Sequence, residues 1–228
     1  MLKKILGDKN YLLRRYILFL IGLFVCSLGI ACMTKAGIGT SPMAAVPYTL
    51  SLIVPKLSFG TWVIVVCMIQ IAMQIVLLRK NTVPGEIIIQ IIISFIYGYL
   101  TDFSLYLIRD IEIHSYSGQI ILQITGCLVL ALGIYIELIG DVGMLSGDAF
   151  IRAIARVMGK EYGNVKMIAD VVMIVISVAL STVFLHQLAG VREGTVLSAV
   201  LVGMLIKKYK KMFAGFERKI FPENVQNE

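Results

Sequence analysis

Runs of about twenty apolar residues, broken by clusters of lysine and arginine, leave this chain few folds to choose from. In lipid a backbone must satisfy its own hydrogen bonds, and a helix of roughly that length does so while crossing the bilayer. Six such runs are read at 11–33, 61–78, 85–108, 118–139, 165–185 and 194–206. Trp62 opens the second run as an interface anchor. Charged residues make up only 15% of the chain, against about a quarter in soluble domains. The first run follows Lys3, Lys4, Lys9, Arg14 and Arg15. It is too long for a signal peptide, and further spans follow it. The chain therefore reads as a single all-α membrane domain, residues 1–228.

Two segments are left over: "AGIGTSPMAAVPYTLSLIVP" (36–55) and "GDVGMLSGDAFIRAIARVMGKEYGN" (140–164). From Pro42 to Pro55 a helix would extend about 21 Å, short of a hydrocarbon core of about 30 Å. If neither segment crosses and the N-terminus is cytoplasmic, 17 of the 21 basic residues fall inside, leaving Lys35, Lys56, Arg109 and Arg192 outside. That is the positive-inside pattern. Letting the second segment cross would put Arg152 and Arg156 in lipid. Both segments are therefore expected to be partial helices, with both termini cytoplasmic.

The two halves resemble each other. "SLGIACMTKAGIGTSP" (27–42) aligns without a gap to "ALGIYIELIGDVGMLS" (131–146), setting Gly29 on Gly133 and Gly39 on Gly143. "FGTWVIV" (59–65) follows "YGNVKMI" (162–168), and "GEIIIQIIIS" (85–94) parallels "GTVLSAVLVG" (194–203). Three spans per half, an odd number, make the second repeat (116–208) inverted relative to the first (11–109), an arrangement found in many secondary transporters. A basic cytoplasmic tail, 209–228, completes the chain and suits an anionic lipid surface.

Each partial helix opens on a favourable N-terminus. Thr40 or Ser41 is a good cap and Pro42 a good first helical residue. In the second, Ser146 is expected to cap, followed by Gly147 and by Asp148 in the first turn. Two helix N-termini entering from opposite faces would bind a small anionic or carboxylate-bearing ligand. The candidate site is Gly37, Gly39, Thr40, Ser41, Gly143, Ser146, Gly147 and Asp148. The plainer reading is that the glycines allow close packing and the hydroxyls cap helices. Asp102, Glu137 and Asp170 are ionisable groups within spans and candidates for ion coupling. Asp170 is also placed to pair with Lys166, and Asp148 with Arg152, at i,i+4. Gln70, Gln74, Gln90 and Gln123 read as polar glue between helices.

Nothing here suggests an enzyme or a cofactor. "GIGTS" lacks the ending of a phosphate loop, and there is no H-E-x-x-H or G-x-S-x-G. Cys26, Cys32, Cys67 and Cys127 lie in apolar runs without metal spacing, and His114 and His186 are far apart. The net charge of +7 is spread along cytoplasmic flanks, which argues against nucleic acid.

At "KAGIGTSPMAAVPYTLSL" the chain resembles the YczE/YyaS/YitT family of bacterial integral membrane proteins, in its YczE-like branch. "DVGMLSGDAF" and "REGTVLSAVLVG" are similar to later elements of that group, and the likeness extends over about residues 12–207. One departure is that Ser146 stands where the resemblance leads one to expect proline. The resemblance implies a bacterial cytoplasmic (inner) membrane and brings no catalytic residues. A small-molecule transporter or permease fits the repeat best. A substrate-binding subunit of a multi-component uptake system, or a non-transporting scaffold with a protein partner, are the alternatives.

Overall fold

The computed structural model describes residues 9–113, 115–140 and 142–220; Lys3, Lys4, His114, Asp141 and the end of the basic tail lie outside it. Its regular structure is helical throughout: α1 (Lys9–Ala36), α2 (Pro42–Ile53), α3 (Phe59–Leu78), a short 3-10 turn at Arg79–Asn81, α4 (Pro84–Leu107), α5 (Tyr116–Gly140), α6 (Ser146–Met158), α7 (Tyr162–Leu185) and α8 (Glu193–Ile220). Five of these, α1, α3, α4, α5 and α7, are long and apolar enough to cross a membrane. The stretch expected to be a sixth span, 194–206, falls in α8, which is not one of the five. Its apolar stretch is short, and Lys207, Lys208, Lys210 and Lys211 follow within the same helix.

The molecule is organised around α1 and α5, which run antiparallel in close backbone contact. A Cβ on Gly29 would lie 2.5 Å from the Leu130 amide nitrogen, and one on Gly133 would lie 2.5 Å from that of Cys26. A Cβ on Gly22 would meet the Glu137 nitrogen at 2.8 Å, and one on Gly126 the Met33 nitrogen at 3.0 Å. Small residues give such close approach because water-driven burial is absent in lipid and packing has to supply the attraction. These contacts come in exchanged pairs. Adding 104, the offset from Gly29 to Gly133, turns Gly29–Leu130 into Gly133–Cys26 with the roles reversed. It turns Gly22–Glu137 into Gly126–Met33 in the same way.

The other helices are arranged on this pair. α4 runs parallel to α1, through Ser27 Oγ and Ser104 Oγ at 2.8 Å and the Phe24–Phe103 rings. α8 runs parallel to α5, from Gln123 at Gly194 to Tyr135 at Phe213. Leu18, Ile139, Tyr209 and Phe213 share one cluster, so the start of α1 and the later part of α8 meet at the same end of the molecule. We call this the basic end. α2 packs on α7 and α6 packs on α3.

Neither partial helix runs the length of the bundle. α1 finishes and α3 starts at the end opposite the basic one: Gly60 sits against Asp102, near the end of α4, and Lys35 reaches the Arg109 carbonyl. At 12 residues, α2 is about 18 Å long. Gly37 and Gly39 turn the chain into it with φ of 75° and 117°, left-handed values open to glycine. Pro47, inside α2, removes the donor that would close on the Met43 carbonyl. α6 enters from the basic end, and Gly159 closes it in the left-handed conformation with its N–H returned to the last turn. Ser41 does occupy the cap position of α2, but its side chain makes no capping bond. At α6 the cap is Leu145, and Ser146 is the first helical residue. The expected Ser146 cap is therefore displaced by one position.

Polarity is distributed as a bilayer requires. Ser27, Ser94, Thr101, Ser104, Gln123 and Ser177 are fully buried, while Val76, Tyr99 and Val175 are more than half exposed. In α7 only Val165, Ser177 and Ser181 are buried. Large apolar side chains face outward, where lipid covers them.

Replacing Gly29 or Gly133 by Leu forces backbone apart along the central seam. A loss of about 1–3 kcal/mol or more is expected, read as a lowered melting temperature in detergent. Gly163→Ala, which meets nothing within 4 Å, is expected to hold or slightly raise it.

Candidate functional site

α6 is strongly two-sided. Ala149, Ile151, Ala153 and Ala155 are buried, while Arg152 and Arg156, one turn apart, are exposed. Beside the arginines, a cavity of about 300 Å³ opens between the end of α3, the start of α4, the Gly143 break and α6. Gln74 and Gln90 line it, at 3% and 5% exposure. The side-chain oxygen of each is buried without a hydrogen-bond partner among the described residues. Glu86 lies on its wall. Two cations at i,i+4 repel each other, and neither arginine forms an ion pair among the described residues. The cavity thus carries positive charge without an ion-pair partner among the described residues, and two unsatisfied acceptors lie behind its wall, closed off from it.

Asp148 does not compensate the arginines. Instead of the expected pairing with Arg152, its carboxylate turns to α7. It accepts from Tyr162 Oη at 2.9 Å and lies 3.6 Å from Lys166 Nζ. Lys166 also donates to Asp170 at 3.1 Å, the expected i,i+4 pair. These four residues tie the first turn of α6 to α7.

The candidate residues read from sequence do not form one cluster. Gly143 lines the cavity. Gly39 and Thr40 pack on the start of α8 at the other end, and the Gly37 carbonyl accepts from Arg192, just before that helix. A Cβ on Gly39 would lie 2.5 Å from Thr195 Oγ1, and the Thr40 carbonyl accepts from Ser198 at 3.4 Å. Ser41 is buried at the head of α2. The two partial helices meet at their second residues: a Cβ on Gly147 would lie 2.5 Å from Met43 Cε and 3.4 Å from Gln70 Oε1. Because 43 and 147 differ by the same offset of 104, this contact is its own image. Ser146 Oγ is buried there without a geometrically defined hydrogen bond among the described residues, with the Cys67 thiol beside it.

The three carboxylates proposed for coupling separate clearly. Asp102 accepts from Ser58 Oγ at 2.5 Å and from the Gly60 amide at 2.7 Å, securing the N-terminus of α3. Asp170 is held by Lys166. Glu137 is 9% exposed in the α1–α5 seam, with the Cys26 thiol 3.8 Å from Oε2. Arg152, Arg156, Gln74, Gln90 and Glu86 were absent from the sequence-derived site. The glutamines gave a signal, being amides within apolar runs. The arginines gave one too, as a cationic pair repeated at i,i+4, but both signals also fit structural roles.

The fold and its outward apolar faces define a multi-pass integral membrane protein. Residues 13–211 match the family of unknown function DUF6198, and the chain belongs to it. The uncharacterized protein YyaS of Bacillus subtilis (strain 168) is 30% identical over 125 residues, covering 54% of this chain. That match spans 60% of the relative's length. No solved structure matches the chain.

Replacing Lys166 with Met leaves Asp148 and Asp170 facing each other. Unfolding measurements are expected to show a loss of about 1–2 kcal/mol, between the values for exposed and buried pairs. The loss should be partly recovered by adding Asp148→Asn, with a coupling of at least about 0.5 kcal/mol.

Proposed function

We propose that the chain is a small-molecule transporter built from two inverted three-helix repeats, with its substrate site between them. The G-x-G-T-S-P element and the "DVGMLSGDAF" segment place it, in our reading, in the YczE-like branch. α8 then serves as the sixth span, and the basic end, with both termini, faces the cytoplasm of a bacterial cell. Exchanged contacts along the α1–α5 seam support the repeat, as does the Met43–Gly147 contact on its axis.

One observation carries the transport reading: the two halves match in register but differ in packing. In the first half α3 closes on α4, with Gly60 and Gly98 in backbone contact. In the second, α7 and α8 have no such seam, and Gly163, the partner of Gly60 in the alignment, faces open space, as does Gly203. The cavity differs in the same sense. Its counterpart at the opposite end is sealed by Thr49 Oγ1 to Ser177 Oγ at 2.6 Å, Ser198 on Thr40, and the Gly194 amide on the Ile38 carbonyl at 2.8 Å. Repeats with two discrete packings are what alternating access requires. Exchanging them would close the basic end and open the other. Glu137, held by a thiol and no cation among the described residues, is the carboxylate we assign to coupling.

The test needs no substrate. In a cysteine-free background, Ser198→Cys is buried while the outer seal holds. Slow labelling by a membrane-impermeant maleimide from that side is expected, and oxidising a Thr49→Cys/Ser177→Cys pair should stop it. A folded protein that is never labelled, or that is labelled equally when linked, contradicts alternating access. Glu137→Gln is expected to remove any difference in labelling rate between mildly acidic and mildly alkaline buffer.

A further inference from the structure

We propose that the cavity at the basic end binds an amino dicarboxylate, a small acid with two carboxylates and one ammonium group. Binding is argued from the cavity alone; only the consequence, movement across the membrane, rests on the transport reading. The ligand differs from the one sequence reasoning suggests, because the positive charge comes from side chains on the exposed face of α6 and not from helix N-termini.

Charge sets the first requirement. Arg152 and Arg156 flank the cavity one helical turn apart and have no anionic partner among the described residues. Their spacing along α6 gives each guanidinium its own carboxylate, the geometry in which arginine binds most specifically. Asp148, the one acid on α6 able to reach Arg152, is engaged by Tyr162 and Lys166. That engagement keeps the arginines available.

The glutamines set the second requirement. Gln74 and Gln90 are more than nine-tenths buried, and their oxygens have no donor among the described residues. Both oxygens are closed off from the cavity as it stands, so a ligand meets them only when the amides turn toward it, and one that donates then relieves the cost of a buried acceptor left alone. Glu86, on the same wall, makes an ammonium the better donor than a hydroxyl. Two arginines and one glutamate leave the site with one net positive charge, and an amino dicarboxylate carries one net negative charge. Gly143, on the same wall, is packed on Ile93, where a Cβ would lie 2.8 Å from Cδ1. A volume near 300 Å³ is at the low end for ligand pockets, which fits a compact molecule.

The test is saturable thermal stabilisation and calorimetry of the purified full chain in detergent, using L-aspartate, L-glutamate, succinate, L-alanine and inorganic phosphate as probes. L-aspartate or L-glutamate is expected to bind, with succinate weaker for want of the ammonium and alanine weaker for want of the second carboxylate. Arg152→Gln and Arg156→Gln are each expected to weaken binding about tenfold or more. Both residues are surface-exposed, so both variants should fold. Glu86→Gln and Gln90→Leu are expected to reduce the preference for aspartate over succinate. Absence of any shift with aspartate and glutamate overturns the proposal, as do shifts unchanged in both arginine variants. Phosphate binding as well as either amino acid would mark a general anion patch and also overturn it. Ser198→Cys labelling is independent of this site, so its result separates failure of the ligand assignment from failure of the transport reading.

Discussion

Everything in this molecule is referred to the backbone contact between α1 and α5. Gly22, Gly29, Gly126 and Gly133 let two helices approach until an added Cβ would lie within 3.1 Å of opposing backbone at every one of these positions. In lipid, such packing must replace the hydrophobic effect as the source of cohesion. The two helices are antiparallel, their contacts exchange under a single offset, and the other α-helices pack around this seam in matching pairs. α4 lies on α1 as α8 lies on α5, and α2 lies on α7 as α6 lies on α3.

Within that frame the glycine breaks have a clear purpose. Each ends a long helix and returns the chain as a partial helix to the end it came from. The N-terminus of each partial helix is thereby brought toward the middle, where Met43 meets Gly147. Irregular backbone at that depth is tolerable because it is enclosed by protein. The two breaks then diverge. Gly39 is packed on Thr195 and sealed, whereas Gly143 borders a cavity flanked by two arginines. Similar backbone paths thus carry unequal packing at the two breaks.

Much of this was legible in the sequence, for identifiable reasons. Apolar run lengths gave the long helices, because bilayer thickness sets helix length directly. The distribution of arginine and lysine pointed to partial helices at 36–55 and 140–164, and the 12-residue α2 and 13-residue α6 have that form. The 27–42 and 131–146 alignment gave the register in which the seam contacts exchange. What failed was local or three-dimensional. Ser146 was expected as a cap because serine is a good one, but the preceding chain reaches helical geometry one residue earlier, leaving Leu145 in that position. Asp148 was matched to Arg152 by spacing along one helix, but α7 presents Lys166 and Tyr162 to it. Asp102 looked like a buried functional acid because its partner, the start of α3, lies more than forty positions away in sequence. The cavity draws on α3, α4, the second break and α6, and its glutamines and arginines were each legible only as something more ordinary.

The central claim is that the two halves exchange packings about the α1–α5 seam, and the unpaired faces of α7 and α8 expose it most directly. Spin labels at Met167 and Met204, both largely exposed, report the separation of these helices by pulsed electron paramagnetic resonance in lipid nanodiscs. The account predicts two distance populations, the shorter one corresponding to the closed arrangement that α3 and α4 already show, and a redistribution between them when the Thr49–Ser177 contact is locked by a disulfide. A single narrow distribution at the longer distance, unchanged by the lock, would contradict it.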